Sequence, residues 1–246
     1  MPYLGSVPAV TALTSANIAD GAVTAAKLTL DDDLTMTGTT PTLTIGDAGA
    51  EDTKIVFDGN AQDFYIGLDD TDDDLKIGLG SAVGTTAHIV IDEAGAVTKP
   101  LQPAFLVYNS ATDSNVTGDG TVVTVDYDSE VFDQGSDFAS DTFTAPVTGR
   151  YLFQVQVGLQ GTEDATNTRY RMTLVTSNRT HVLHEQRVMR QNDGGQNIVL
   201  LNAVTIADLD VSDTAYVQCG VYGGAAVVDI WGNSQPEAFF SGCLLA

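Results

Sequence analysis

Positive charge is what this sequence has least of. Its 246 residues carry 10 Lys and Arg against 33 Asp and Glu, a formal net charge of −23. The acids are spread along the chain, 16 in residues 1–100 and 17 in residues 101–246, so the charge belongs to the whole surface and not to a tail. Such a surface repels phosphate backbones and anionic lipid, which argues against a nucleic-acid partner. It suits a saline setting, where screening over ~8 Å or less weakens self-repulsion. Cysteine is nearly absent. Cys219 and Cys243 are too few for a disulfide framework. Both sit in apolar, strand-like surroundings and read either as buried free thiols or as one bridge. No apolar run approaches the ~20 residues of a membrane span, so membrane insertion is not expected. The opening MPYLGSVPAVTALTS has neither a basic leader nor a continuous apolar segment, so no secretory signal is expected. Helical periodicity is missing beyond a turn or two.

What is present is strand-like alternation in three textures. Residues 1–30 are small, polar and Thr/Ala-rich, with too few large apolar residues to fold alone. Residues 31–100 hold short strand candidates at 42–45, 54–58, 64–68, 75–79, 88–91 and 96–98, punctuated by Gly and Asp. A faint repeat runs through them: Ile45-Gly46 recurs as Ile66-Gly67 and Lys54-Ile55 as Lys76-Ile77. Units that cannot bury an apolar face alone are expected to stack, here against copies of the chain around a shared axis. Residues 101–246 are richer in aromatics, after a joint at Pro100 and Pro103. Strands are expected there at 104–109, 121–126, 141–145, 150–158, 168–176, 180–190, 197–206, 214–222, 226–231 and 238–245, with a hairpin turn at Asp193-Gly194-Gly195. Many short strands without helices predict a sandwich or jelly roll.

The stretch FDQGSDFASDTFTAPVTGRYLF (132–153) is the most informative. Phe143 and Ala145 end at Pro146, which cannot donate to a ladder, and Gly149 frees the corner. Tyr151, Phe153, Val155 and Val157 then alternate as one buried strand face. With Asp133, Gly135 and Phe138, these residues resemble the signature of the globular head shared by complement's first recognition subunit and the tumour necrosis factor superfamily. FFSGCLLA (239–246) is similar to that family's closing strand, with Cys243 where an aromatic is usual. Residues 193–218 are similar to its penultimate hairpin, with Ser212-Asp213 replacing the customary Gly-Asp. The resemblance implies a ten-stranded jelly roll assembling as a homotrimer, with Phe143, Tyr151, Phe153 and Phe239 in the head core. The front resembles other proteins. MPYLGSVPA and TSANIADGAVTAAKL are similar to phrases in fibre proteins of marine bacteriophages, which implies virion attachment through Pro2, Tyr3, Leu4 and Gly5.

Reactive chemistry finds little support. Asp69, Asp70, Asp72, Asp73 and Asp74 crowd one segment; it reads as a solvated hairpin loop, with calcium at Asp70, Asp72 and Asp74 the alternative. Leu75 and Ser81 break the helix-loop-helix calcium pattern. Asp126, Asp128 and Glu130 are expected on one strand face as an acidic rim, with no aromatic sugar platform beside them. His181 and His184, three apart on a strand, are expected on opposite faces and unable to chelate together. No phosphate loop or activated nucleophile is visible, so no cofactor is expected and the protein reads as non-enzymatic. Five of the six arginines in residues 101–246 lie within 22 positions, among them Arg169, Arg171, Arg187 and Arg190. They read either as intersubunit salt bridges or as a patch for an anionic glycan or partner protein.

The expectation is therefore all-β and homotrimeric: an attachment segment (1–30), a β-repeat shaft (31–100) and a jelly-roll head (101–246). The resemblances imply a phage fibre in the virion, held to tail, hub or capsid proteins by its N-terminus, its head adhering to a host-surface glycan or protein. The alternatives are a capsid decoration fibre without a dedicated receptor and a secreted bacterial or invertebrate glycan-binding protein with the same head.

Overall fold

The computed structural model describes residues 34–162, 166–187 and 198–246. Pro2, Tyr3, Leu4, Gly5, Arg190 and the turn at 193–195 lie outside the described residues. The chain divides into two compact units, Met1–Asp47 and Ala48–Ala246. In the first, residues 34–47 are exposed and form no strand. The strand expected at 42–45 is therefore missing, because an alternating pattern makes a strand only where a neighbouring ladder receives its N–H and C=O groups.

The second unit is built of strands throughout its described residues. It begins with a five-stranded antiparallel meander: β1 (Thr53–Phe57), β2 (Phe64–Asp69), β3 (Asp74–Leu79), β4 (Ala87–Ile91) and β5 (Val97–Thr98). Ile55 pairs Ile66, Ile66 pairs Ile77, and Ile77 pairs Ile89. The recurrence of Lys54-Ile55 as Lys76-Ile77 thus has a geometric origin: two hairpin steps bring the same side chain back to the same row of the same face; Ile45-Gly46 lies in residues that form no strand and does not share it. Phe57, Phe64 and Leu79 form a second row, and Leu68, Leu75, Ile91 and Val97 a third. This apolar face is open, with Phe57 57% and Val97 62% exposed. The opposite face is the covered one. There the loop after β3 folds back so that the Gly84 N–H donates to the Tyr65 hydroxyl at 3.1 Å. Gly78 makes room for that ring, since any Cβ at 78 would collide with the Tyr65 hydroxyl. Tyr65 is the one fully buried large apolar side chain among described residues 34–98. A single copy of this sheet has no core.

The rest is a two-sheet sandwich. Its strands are β6 (Ala104–Tyr108), β7 (Asp113–Thr117), β8 (Val122–Thr124), β9 (Ser129–Asp133), β10 (Phe138–Ala139), β11 (Thr142–Thr144), β12 (Gly149–Gln160), β13 (Arg169–Thr176), β14 (Thr180–Arg187), β15 (Val199–Leu209), β16 (Thr214–Tyr222), β17 (Val228–Trp231) and β18 (Phe239–Leu244). One sheet runs β10-β11-β16-β13-β14, with β8 sharing an edge of β16. The other runs β7-β17-β12-β18-β6-β9, with β15 along the free edge of β12. The short strands β7, β9 and β10 add to those expected, so the described head has more strand segments than ten.

Alternation along β12 drives the packing: Tyr151, Phe153, Val155, Val157 and Leu159 are all buried. They meet Met172 and Leu174 of β13 and Val217, Cys219 and Val221 of β16 in one cluster. At its aromatic end Phe105 stacks on Phe143 at 5.0 Å and meets Phe240 edge-on at 5.0 Å. The turn that opens β12 is fixed by the Tyr151 hydroxyl, which donates to the Val147 carbonyl at 2.6 Å. Upstream, the Asp133 carboxylate accepts the N–H groups of Asp137 (3.1 Å) and Phe138 (2.9 Å), closing a turn with Ser136 at φ 55°.

Phe239 is corrected by this register. It pairs Gln156 and Tyr108 on the outer face, while Phe240 is fully buried opposite Val155 and Val107. A strand that opens with two phenylalanines leaves both phases open until its partner is known. Phe240→Ala should cost about 3–5 kcal/mol in urea unfolding of the protein.

Candidate functional site

The two outer faces of the sandwich differ in chemistry. On the β8-β16-β13-β14 sheet, cross-strand rows place Thr124, Gln218, Thr173 and Val182 together, then Val122, Gly220, Arg171 and Glu185, then Tyr222, Arg169 and Arg187. Gly220 interrupts the carpet of side chains. A groove of about 180 Å³ opens over it, walled by Val122, Arg171, Thr173, Gln218 and Tyr222. A Cβ at Gly220 would sit 3.1 Å from Val122 Cγ2, so even a methyl group narrows the floor.

Arg171 walls this groove and shares one acid, Glu185, with Arg169. Arg169 lies over the Tyr222 ring, 3.9 Å from its centroid, and 4.0 Å from the Glu185 carboxylate. The Arg171 Nε is 3.6 Å from the other Glu185 oxygen, too long for a hydrogen bond, and this buried donor has no partner. Arg187 is exposed and stands directly across from Arg169. On a chain of net charge −23 this is a local cationic excess with an unfilled donor at Arg171. Of the other arginines, Arg179 bonds Asp208 of β15 at 3.1 Å.

The outer face of the β15-β12-β18-β6-β9 sheet has no charge at its centre. Its rows are Ile206, Leu152, Cys243 and Ala104; Val204, Gln154, Ser241, Leu106 and Phe132; and Asn202, Gln156, Phe239 and Tyr108. Val204 is 62% exposed and Ile206 53%. Alternation along β15 then puts Leu201, Ala207 and Leu209 inside. The strand expected at 197–206 matches this element, but its apolar outer face is not among the sequence candidates.

The remaining sequence candidates separate. The aspartate loop is organised by a residue outside the candidate set: Lys76 Nζ bonds Asp69 at 2.8 Å and Asp72 at 2.6 Å. Its ammonium thus pairs with Asp72, one of the three carboxylates considered for calcium, and the backbone N–H of Asp70 donates to the Asp52 carboxylate at 3.0 Å. The Lys76 hydrogen bond holds the Asp69 carboxyl below its ordinary range despite burial, and the two aspartates push Lys76 up. Asp126 and Asp128 do not share a strand face with Glu130, because residues 125–128 form no strand. Asp128 accepts the Ser110 N–H at 2.7 Å and the Ser110 hydroxyl at 2.8 Å. Burial, with Asp141, Asp113 and Asp128 nearby, raises Asp126.

The two histidines also need correction. A bulge in β14 pairs His184 with Met172 and His181 with Leu174, so both lie opposite core-facing residues and not on opposite faces. Among the described residues no group of three or more metal-ligating side chains comes together. The cysteines are free: Cys219 is in the core, its thiol pushed up to about 12 by burial, and Cys243 is on the outer face of the other sheet. A bridge would have to cross a sheet, which removes the disulfide alternative.

No protein-family model and no curated protein matches the chain. Solved structures similar to it include the globular domain of zebrafish complement 1qA protein, 15% identical, covering 59% of this chain and 98% of that one at a TM-score of 0.38. Murine APRIL at pH 8.5 is 15% identical and at pH 5.0 16% identical, each covering 58% of this chain and 99% of that one, with TM-scores of 0.39 and 0.40. Among the described residues no helix is long and apolar enough to cross a membrane.

Proposed function

We propose that this protein is a non-enzymatic structural fibre of a marine bacteriophage virion, trimeric, held to the particle by its N-terminal segment and presenting the sandwich as an adhesive head. The observation that carries the trimer is the charge-free outer face built around Leu152, Val204, Ile206 and Phe239 on a chain of net charge −23. Copies of so acidic a molecule approach one another most readily where neither presents charge, and an exposed apolar sheet face of this extent marks an interface. Closed rotational symmetry buries it without leaving an open end. The N-terminal phrases supply the phage reading. Three heads on one stalk convert weak single contacts into useful avidity.

The groove over Gly220 is the part of the head suited to a host surface. The guanidinium groups of Arg169 and Arg171, the hydroxyl of Thr173, the amide of Gln218 and the ring of Tyr222 suit a sugar bearing a carboxylate or sulfate. Trimer mass in solution tests the assembly, and a single-copy mass at micromolar concentration would overturn it. Location of the chain in an electron-microscopy map of the particle tests attachment and separates tail from capsid. For adhesion, the wild-type protein should retain host cells or acidic polysaccharide. Arg171→Ala should weaken retention about tenfold or more, as loss of a charge-assisted contact requires. Gly220→Val should do the same by filling the groove. Unchanged retention by both variants would remove the groove from the adhesive role.

A further inference from the structure

A cavity of about 400 Å³ lies where β4 and the turns leading into β6 and β12 meet the end of β18. Its apolar wall is Leu101, Pro103, Pro146, Val147, Leu244 and Leu245, of which Leu101 is 56% exposed, Leu245 49% and Val147 45%. Each segment of that wall is fixed by hydrogen bonds. The Gln134 amide donates to the Lys99 carbonyl at 2.9 Å and the Gln102 carbonyl at 2.8 Å, and the Gln102 amide donates to the Leu244 carbonyl at 2.7 Å. The Leu244 N–H donates to the Pro103 carbonyl at 3.0 Å, and the Leu245 N–H to the Arg150 carbonyl at 2.8 Å. Val147 is held through its carbonyl by the Tyr151 hydroxyl. The site is therefore formed before a ligand arrives, and its size is that of a small-molecule site.

We propose that this cavity binds a free amphipathic acid, one acyl or aromatic tail carrying a carboxylate, with the tail against Pro146, Val147 and Leu245 and the carboxylate on the Lys99 ammonium and a His88 ring N–H. The charge of the lining selects the head group. His88 and Lys99 both border the cavity, and no Asp or Glu does among the described residues, although the chain holds 33 acids against 10 Lys and Arg. Lys99 is exposed and pairs with no acid among the described residues, so its ammonium is free to take a ligand carboxylate. Ala246 also borders the site, and its backbone oxygen accepts the Arg150 N–H at 2.8 Å. The apolar wall selects the tail, since burying it removes hydrocarbon of both partners from water. A recess of this volume takes one tail, and the acidic surface around it repels anionic headgroups, so the occupant is a free acid and not a bilayer. The site is separate from the groove over Gly220, shares no lining residue with it and does not depend on the number of copies.

Three probes with one tail and different head groups provide the test. The full chain is titrated calorimetrically with decanoate, decanol and decylammonium, each below its micelle-forming concentration. Decanoate should bind about tenfold or more tightly than decanol, and decylammonium most weakly. Lys99→Glu should lower the decanoate affinity about tenfold or more and leave that for decanol unchanged. Val147→Trp and Leu101→Trp, at half-exposed positions outside the sandwich core, should each fill the cavity and abolish binding of both. Near-ultraviolet dichroism of the aromatic cluster confirms that the variants are folded. Equal affinities for decanoate and decanol, or a Lys99→Glu protein that binds decanoate as the wild type does, would overturn the acid as ligand. Decanoate binding that survives both tryptophan variants would place the tail on another apolar surface, such as that around Val204 and Ile206, and overturn the site. Absence of decanoate binding to the wild-type chain would overturn it as well.

Discussion

Tyr151→Asp should yield no soluble head. The Tyr151 ring is fully buried, 5.3 Å from Phe143 and 6.2 Å from Phe153 between ring centroids, and its hydroxyl reaches the Val147 carbonyl. Aspartate removes the ring, leaves a cavity among the aromatics and places a carboxyl with no donor where the hydroxyl was paired. Cavity and unpaired polar group together cost about 5 kcal/mol or more, comparable with the whole stability of a domain at roughly 5–15 kcal/mol. Tyr151→Phe separates the two contributions. It keeps the ring, loses one hydrogen bond and should fold with a loss of about 1 kcal/mol. Soluble yield and the near-ultraviolet dichroism of the aromatic cluster are the readouts. A Tyr151→Asp protein with wild-type yield and spectrum would contradict the placement of β12 at the centre of the head.

The same residues show why so much of the fold is visible in the sequence. β12 announces itself because both of its faces are distinct in chemistry: five buried apolar residues alternate with Leu152, Gln154 and Gln156, and Pro146 and Gly149 fix where it starts. β1 to β4 are likewise visible as short alternating runs between Gly and Asp. What escapes depends on pairing, which composition does not encode. Phe239 and Phe240 are interchangeable until β18 is set beside β12. The histidines change sides because β14 carries an extra residue across from Met172 and Thr173, and nothing in THVLHEQR marks a bulge. Asp126 resembles a strand residue because its neighbours alternate, yet its chain turns away to bring Tyr127 N–H onto Asp141 at 2.9 Å. The groove is half visible: the arginines are evident as a cluster, but its floor depends on Gly220 meeting Val122 across β8. Lys76 stands in the sequence as part of a repeat and not as the cation of its own loop, since only the hairpin folds Asp69 and Asp72 onto it.

That lysine carries the second large effect. Lys76 and Asp69 have side chains only 9% and 11% exposed, so removing the ammonium strands a nearly buried carboxylate. Lys76→Met should cost about 2–3 kcal/mol, most of it from the unpaired Asp69, because the half-exposed Asp72 contact contributes little. Lys76→Met with Asp69→Leu should recover most of the loss, since no buried charge then remains. Hydrogen exchange along β2 and β3 reads both variants without depending on the head, and an unprotected double variant would sink the argument. The pH dependence follows in sign. The Asp69 pKa is depressed in the folded protein, so its contribution is complete above the ordinary value of 3.8 and lost as pH falls through the still lower folded value. The Lys76 pKa is raised, so its contribution is complete below the ordinary 10.5 and lost only as pH rises through the higher folded value. The bridge therefore stabilises β1–β5 between those limits. Asp113 and Asp126 of the head behave oppositely: burial and neighbouring acids raise both, so protonation below neutral relieves them and favours the folded head. On acidification below the ordinary carboxylate range the amides of β2 and β3 should lose protection before those of β12 and β16. The reverse order would mean that the Lys76 cluster does not hold the meander, and that its apolar face alone does.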